Sequence, residues 1–249
     1  MPELVHLEVA RAVATITLDS EHNRNALSRQ LVSELGERLA DADADAEVKA
    51  VLVRSAGRVF CSGADLSEAA DGSMEEGARA IVALQRQIAT VEKPVVVELG
   101  GPVRAGGLGI VGAADIVVAA ESVTFALTEV RLGLAPAVIS LSLLSKLSPR
   151  DASDVFLTGR TFEAAEAKRM GLVTRTVRDG DLADAVRAVL DDLTKGYPQG
   201  LRETKALLNH DLVARIDALG DDVAAQSARL FGSDEAREAM MAFLASRKK

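Results

Sequence analysis

Residues 95–112 read VVVELGGPVRAGGLGIVG, and the fold turns on how this stretch is parsed. Val95–Leu99 is an apolar run of strand length, closed on one side by Lys93-Pro94 and on the other by a glycine pair. The glycine-rich Gly100–Gly112 follows, and Ile116–Ala119 is a second short apolar run. Two apolar strands this close, joined through a glycine-rich turn, set the pattern for the rest of the chain.

Upstream, Leu4–Val9 and Val13–Leu18 read as strands joined by a tight turn at Arg11. Ser28 caps a helix reaching about Ala42, with Leu31, Val32, Leu35 and Leu39 on one face. Val48–Arg54 reads as a buried strand, Phe60–Leu66 as a loop, and Ala78–Val91 as a helix ended by Lys93-Pro94. Downstream, Thr124–Ala126 is a short strand and Ile139–Leu147 a helix. Ser148-Pro149 opens another helix, with the serine as cap and the proline at the first helical position. Phe162–Met170 reads as a helix stopped by Gly171, and Leu172–Val177 as the last strand. Beyond Asp181 only helical periodicity remains. Gly196-Tyr197-Pro198 is a joint, followed by helices near Leu201–Leu208, Leu212–Leu230 and Glu235–Ser246. The order βαβαβ with a helical tail predicts an α/β core with mainly parallel strands.

With 249 residues, 48% hydrophobic and 27% charged, the chain can bury a sizeable core and is not intrinsically disordered. A net charge of −8 and the absence of a basic stripe argue against nucleic acid. No apolar run reaches the roughly 18 residues of a bilayer span, so no membrane insertion is expected. Met1-Pro2-Glu3-Leu4 shows no signal-peptide pattern, and the expected location is the cytoplasm. Cys61 is the one cysteine and lacks a basic partner nearby, so it reads as a small packed hydrophobe. His6, His22 and His210 share no ligand spacing, and no metal site is expected.

Gly107-x-Gly109-x-x-Gly112 formally matches a dinucleotide fingerprint, but seven residues separate it from Leu99. Two other readings stand beside it. The glycines can serve close helix packing, or the turn can present backbone N–H groups to an anion. Gly63-Ala64-Asp65 offers a similar turn on a separate loop, and two N–H groups aimed at one point make an oxyanion hole. Asp65 reads more readily as a cap for the following helix than as a catalytic group. Glu98 reads as a structural or solvated carboxylate.

At this point the chain resembles the crotonase (enoyl-CoA hydratase/isomerase) superfamily. Phe60-Cys61-Ser62-Gly63-Ala64-Asp65-Leu66 is similar to its first oxyanion loop. Ala105-Gly106-Gly107-Leu108-Gly109, with Ala114-Asp115-Ile116 behind it, is similar to the second. Thr128-Glu129-Val130-Arg131-Leu132-Gly133-Leu134-Ala135-Pro136 resembles the catalytic-glutamate segment. Leu157-Thr158-Gly159, Ala164–Val173 and Met241–Leu244 match later stretches.

The resemblance implies a crotonase-type spiral of repeated ββα units with a helical C-terminal region. Residues 1–195 would hold the acyl-CoA site, and 196–249 would serve oligomerisation. The Ala64 and Gly106 N–H groups would hold a thioester oxygen, with Glu129 as general acid/base. Arg24, Ala26, Ser62, Gly63, Asp65, Gly107, Gly109, Phe243 and Lys248 would bind substrate or coenzyme A. Hydratases of this family usually carry a second glutamate where this chain has Gly109. That leaves space for substrate or water and one carboxylate for proton transfer.

The implied activity is that of an enoyl-CoA hydratase-like enzyme. A Δ3,Δ2-enoyl-CoA isomerase, or a non-catalytic acyl-CoA-binding protein, is the alternative, and a nicotinamide oxidoreductase the more distant rival. Coenzyme A would arrive as part of the substrate, with no metal or redox cofactor. Leu201–Ser246 is amphipathic with little partner surface expected within one small domain, and family members use such helices for assembly, so the resemblance implies a homotrimer or dimer of trimers.

Overall fold

Residues 5–10 and 13–18 pair antiparallel as a hairpin, burial alternating along the second strand, and its two turn residues, Arg11 and Ala12, both have positive φ (52° and 61°). That turn matches the right-handed twist of the strands it joins. The computed structural model describes residues 2–71 and 74–246. In it β1 (Val5–Ala10) and β2 (Val13–Leu18) begin a six-stranded sheet. The sheet continues through β3 (Ala50–Ser55), β4 (Val95–Leu99), β6 (Ile116–Ala120) and β9 (Arg175–Val177). After the hairpin every pairing in this sheet is parallel. A small second sheet orders β5 (Val103–Arg104), β7 (Thr124–Ala126) and β8 (Thr161–Glu163).

Parallel neighbours need crossovers, and here helices supply them. α1 (Arg29–Ala44) joins β2 to β3, and α2 (Met74–Thr90) joins β3 to β4. Ser28 caps α1 as expected, its Oγ accepting the Leu31 N–H at 3.2 Å. The seven-residue α3 (Gly107–Ala113) joins β5 to β6. Then come α4 (Ala137–Leu143), α5 (Pro149–Thr158), α6 (Ala164–Met170), α7 (Leu182–Thr194), α8 (Pro198–Phe231) and α9 (Asp234–Ser246). One apolar cluster runs from the hairpin through β3, β4 and β6 to α1, α2 and α7. Because of the crossovers, the loops after β2, β3 and β4 leave from the carboxyl edge of one sheet, where α/β folds open their crevice.

Several expected elements differ. The helices expected at 201–208 and 212–230 are one, α8, of 34 residues. Asn209-His210-Asp211 are poor helix formers, but tertiary bonds hold the chain helical through them. Asn209 Nδ2 donates to Ala89 O (3.2 Å) and Asp115 Oδ1 (2.8 Å). Nearby Lys205, only 4% exposed, reaches Asp115 Oδ2 (2.9 Å), Ile88 O (2.8 Å) and Lys93 O (3.0 Å). Leu212 and Ile216 pack with Ala89 and Leu141, and Ala224 with Ala78 and Val138. The α8 face thus finds partners on α2 and α4 of its own chain, contrary to the expectation of little partner surface.

The helix expected from Phe162 starts at Ala164. Phe162 belongs to β8, paired with β7 and stacked on Phe125 at 5.5 Å. The strand expected at 172–177 shortens to 175–177, and the helix expected at 139–147 spans 137–143. The two-residue β5 has too little sequence to show a period.

Candidate active site

Four loops meet at the carboxyl edge of the sheets and enclose a cavity of about 1040 Å³. The loop after β2 is fastened by buried Asn25, whose Oδ1 accepts the Ser20 N–H (2.7 Å) and whose Nδ2 donates to Val59 O (3.0 Å). Arg24 and Asn25 both take left-handed φ (59° and 52°), so the loop doubles back and Arg24 stands exposed on the cavity wall. The loop after β3 is tied to it. Ser62 N–H donates to Arg24 O (3.1 Å), Ser62 Oγ to Asn23 O (3.0 Å), and Asn23 Nδ2 to Asp65 Oδ2 (3.0 Å).

These ties leave two donors unused. In the parallel bridge between Leu27 and Ala64, the bonds run from Leu27 N–H to Gly63 O (2.8 Å) and from Asp65 N–H to Leu27 O (3.5 Å). Such a bridge skips the middle residue's own N–H, and that of Ala64 meets no protein acceptor among the described residues. Ala105 N–H donates to Ala126 O (3.0 Å), while the next N–H, that of Gly106, also meets none. A Cβ placed on Gly106 would lie 3.7 Å from the Ala64 nitrogen, so the two donors are neighbours. Both residues line the cavity. Paired free N–H groups can stabilise a developing oxyanion.

Glu129 heads the 3₁₀ turn Glu129–Leu132 and lines the same cavity. Gly133, at φ +69°, reverses the chain, and the Gly133 and Leu134 N–H groups both donate to Glu129 O. A Cβ on Gly133 would meet the Ala236 Cα and N at 3.2 Å, so the start of α9 backs the turn that carries Glu129. The Oε2 atom of Glu129 is shut off from solvent with no partner among the described residues. Burial pushes this carboxyl up from 4.5 to about 7, against a smaller opposing pull from its own backbone N–H. The other cavity carboxylates are engaged or exposed. Asp65 accepts from the Ser67 N–H and Oγ and from Asn23; Glu68 pairs with Arg29; Glu76 is exposed. Burial alone would raise the Asp65 carboxyl, but the Ser67 and Asn23 hydrogen bonds outweigh it and hold it low. A carboxyl near neutrality can both take and return a proton.

Of the residues singled out in the sequence, the cavity brings together Arg24, Ala26, Ser62, Ala64, Asp65, Gly106 and Glu129. Gly63, Gly107 and Gly109 stand behind its wall. Cys61 is buried, and burial pushes its thiol up to about 12, as fits a packed hydrophobe. Phe243 falls on α9 with its side chain outside the described part, and Lys248 lies outside the described residues. Glu98 is on β4, not on the cavity. Position 109 is not open space: a Cβ there would meet Ile139 Cγ2 at 3.1 Å and Gln85 Cδ at 3.2 Å. The sequence reading missed Ile81, Ile139 and Phe231 as cavity residues, because apolar residues on a helix face look the same whether they meet a core or a pocket. It missed Arg104 too, which lines the cavity and donates to Thr124 O (2.6 Å) and Thr124 Oγ1 (2.8 Å).

Residues 8–249 match the family model for enoyl-CoA hydratase/isomerase. The chain belongs to the enoyl-CoA hydratase/isomerase family. The crystal structure of an enoyl-CoA hydratase from Mycobacterium avium is 46% identical and superposes with a TM-score of 0.92, over 99% of this chain and 98% of that one. A carnitinyl-CoA hydratase from the same organism is 28% identical with a TM-score of 0.85, over 99% and 97%. The short-chain-enoyl-CoA hydratase of Clostridium acetobutylicum is 28% identical over 249 residues, 98% of this chain and 95% of its own. The fold is the crotonase fold, α/β with a helical C-terminal region, and acyl-CoA thioesters are the family's substrate class. Among the described residues no helix is long and apolar enough to cross a membrane.

The raised Glu129 carboxyl has a consequence for stability that needs no substrate. Its folded value of about 7 exceeds the ordinary 4.5. The stability it lends is therefore complete below pH 4.5 and lost as pH rises through 7. Glu129→Gln should gain on the wild type by up to about 3 kcal/mol between pH 4 and pH 8. Urea melts of both proteins at the two pH values check this; a pH-independent difference would show that the carboxyl is not raised.

Proposed function

We propose that this family member acts on an enoyl-CoA thioester as an enoyl-CoA hydratase-like enzyme with one working carboxylate. The Ala64 and Gly106 N–H groups hold the thioester oxygen as it gains charge, and Glu129 moves the proton. The observation that carries this reading is the unpartnered Glu129 carboxyl in the same cavity as two unused backbone donors. A module that merely binds acyl-CoA gains nothing from burying an unpaired carboxyl. In hydration, Glu129 takes a proton from water as the oxygen adds to C3, and returns it to C2. Arg24, exposed on the cavity wall, would meet a coenzyme A phosphate, and Ala26 would offer backbone contacts.

A second reading, migration of the double bond, is favoured by the closed surroundings of position 109. There Glu129 removes a C2 proton from a 3-enoyl thioester, the electrons delocalise over the thioester, and the proton returns at C4. One carboxylate suffices for this, with no water to place.

Purified protein supplied with 2-enoyl- and 3-enoyl-CoA esters should convert one class or both. Glu129→Gln should lower the rate by at least about 10²-fold. Gly106→Pro, at a position whose φ of −49° suits proline, removes one donor and should cost about 10²–10³. A wild type that binds the esters but leaves the double bond untouched would refute the enzyme reading, as would a folded Gly106→Pro variant of normal rate.

We also propose that residues 196–249 join copies of the chain into a homotrimer or dimer of trimers, acting in the cytoplasm. The support is the apolar surface that α8 still exposes: Leu207 is 80% and Leu208 75% exposed. Sedimentation at micromolar concentration should give a trimer or hexamer and not a monomer.

A further inference from the structure

Gln85 lies on α2, one residue along from the cavity-lining Leu84, and is only 1% exposed. An amide buried that far must be fully bonded. Its Nε2 donates to Val138 O (3.1 Å), with a longer bond to Ile81 O (3.4 Å), and its Oε1 accepts the Ser142 hydroxyl at 2.6 Å. Val138 and Ser142 belong to α4, the helix whose Ala137, Val138 and Ile139 form cavity wall. Ser142 Oγ also sits 3.4 Å from Gly109 O. The amide thus pins α2, α3 and α4 together at one point, directly against the Gly109 α-carbon. A Cβ there would stand 3.2 Å from Gln85 Cδ and 3.4 Å from its Oε1, and Ile139 closes the remaining side at 3.1 Å. These contacts are tighter than a Cβ normally makes, so a side chain here requires Gln85 or Ile139 to move.

We propose that Gln85 is a specificity-determining residue that commits this site to a single carboxylate. It fills, with a neutral and fully bonded amide, the volume beside Gly109 that a second acid–base side chain would need. It thereby sets how an enoyl thioester partitions between double-bond migration and water addition. This rests on the acyl-CoA reading above. Water addition gains from a second group that orients the water while Glu129 handles the proton; migration needs only Glu129. With Gln85 and Ile139 packed against it, position 109 cannot bring a second acid–base side chain to join Glu129 on the substrate.

The experiment compares wild type, Gly109→Glu, Gln85→Ala and the double variant. Each is tested for melting temperature and for the ratio of 3-hydroxyacyl-CoA to shifted enoyl-CoA formed from one enoyl-CoA ester. Gln85→Ala alone should melt below wild type, because it strips the bonds to Val138 and Ser142. Gly109→Glu alone should also melt well below wild type. Adding Gly109→Glu to Gln85→Ala should cost much less than adding it to wild type, and the double variant should raise the hydration-to-migration ratio at least tenfold. The proposal is overturned if Gly109→Glu melts like wild type, since the space would then be open. It is equally overturned if Gly109→Glu costs as much in the Gln85→Ala background as in wild type, or if the double variant folds with an unchanged ratio. A wild type inert on every ester refutes instead the acyl-CoA reading on which the proposal stands, whereas the melting data still report whether Gln85 fills that volume.

Discussion

Holding a carboxyl group out of water with no counter-charge is expensive, and a protein meets the cost by letting the group keep its proton. Glu129 is in that position, with its carboxyl raised to about 7 and its Oε2 without a partner among the described residues. Much of the molecule is arranged so that no partner reaches it. The Glu129 backbone is backed by the Gly133 turn and the start of α9, where a Cβ on Gly133 would lie only 3.2 Å from the Ala236 backbone. Its side chain shares the cavity with the apolar wall of α4.

The two free N–H groups follow the same logic. Two neighbouring backbone donors that face one cavity and meet no protein acceptor among the described residues are free to bond an oxygen placed there. Here the pairing scheme itself leaves them free: the Leu27–Ala64 bridge skips the Ala64 N–H, and the bond from Ala105 to Ala126 stops one residue short of Gly106. Parallel strands make this possible by delivering separate loops to one edge, where Asn25 and Asn23 lock the loops after β2 and β3 to each other and the Arg104 N–H ties the next to Cys61 O. The geometry is thus set by bonds between loops.

How much of this was legible in the sequence depends on range. Elements coded by local signals read true: the Ser28 cap, the Arg11 turn, the Pro149 start and the valine-rich strands each carry their cause within a few residues. Ala64, Gly106 and Glu129 were legible through resemblance, and the cavity assembles all three. What failed was set at long range. Asn209 looks like a break in a helix until its amide is seen to bond Asp115, just before β6, and Ala89 on α2, 94 and 120 residues away. Gly109 looks like open space until Gln85 arrives from another helix. Phe162 looks helical until Phe125 offers a ring to stack on.

The central claim is that Glu129, with the thioester oxygen held at Ala64 and Gly106, exchanges a proton with the carbon next to the thioester. Whether water adds or a double bond moves, that exchange is common to both. Incubating a saturated acyl-CoA with the protein in D₂O, and following deuterium entry at C2 by mass spectrometry, reads it without regard to product. The account predicts exchange by the wild type whose rate rises with pH through about 7, and its loss in Glu129→Gln while the thioester still binds. Exchange at full rate in that variant, or none in a wild type that binds the thioester, would contradict it.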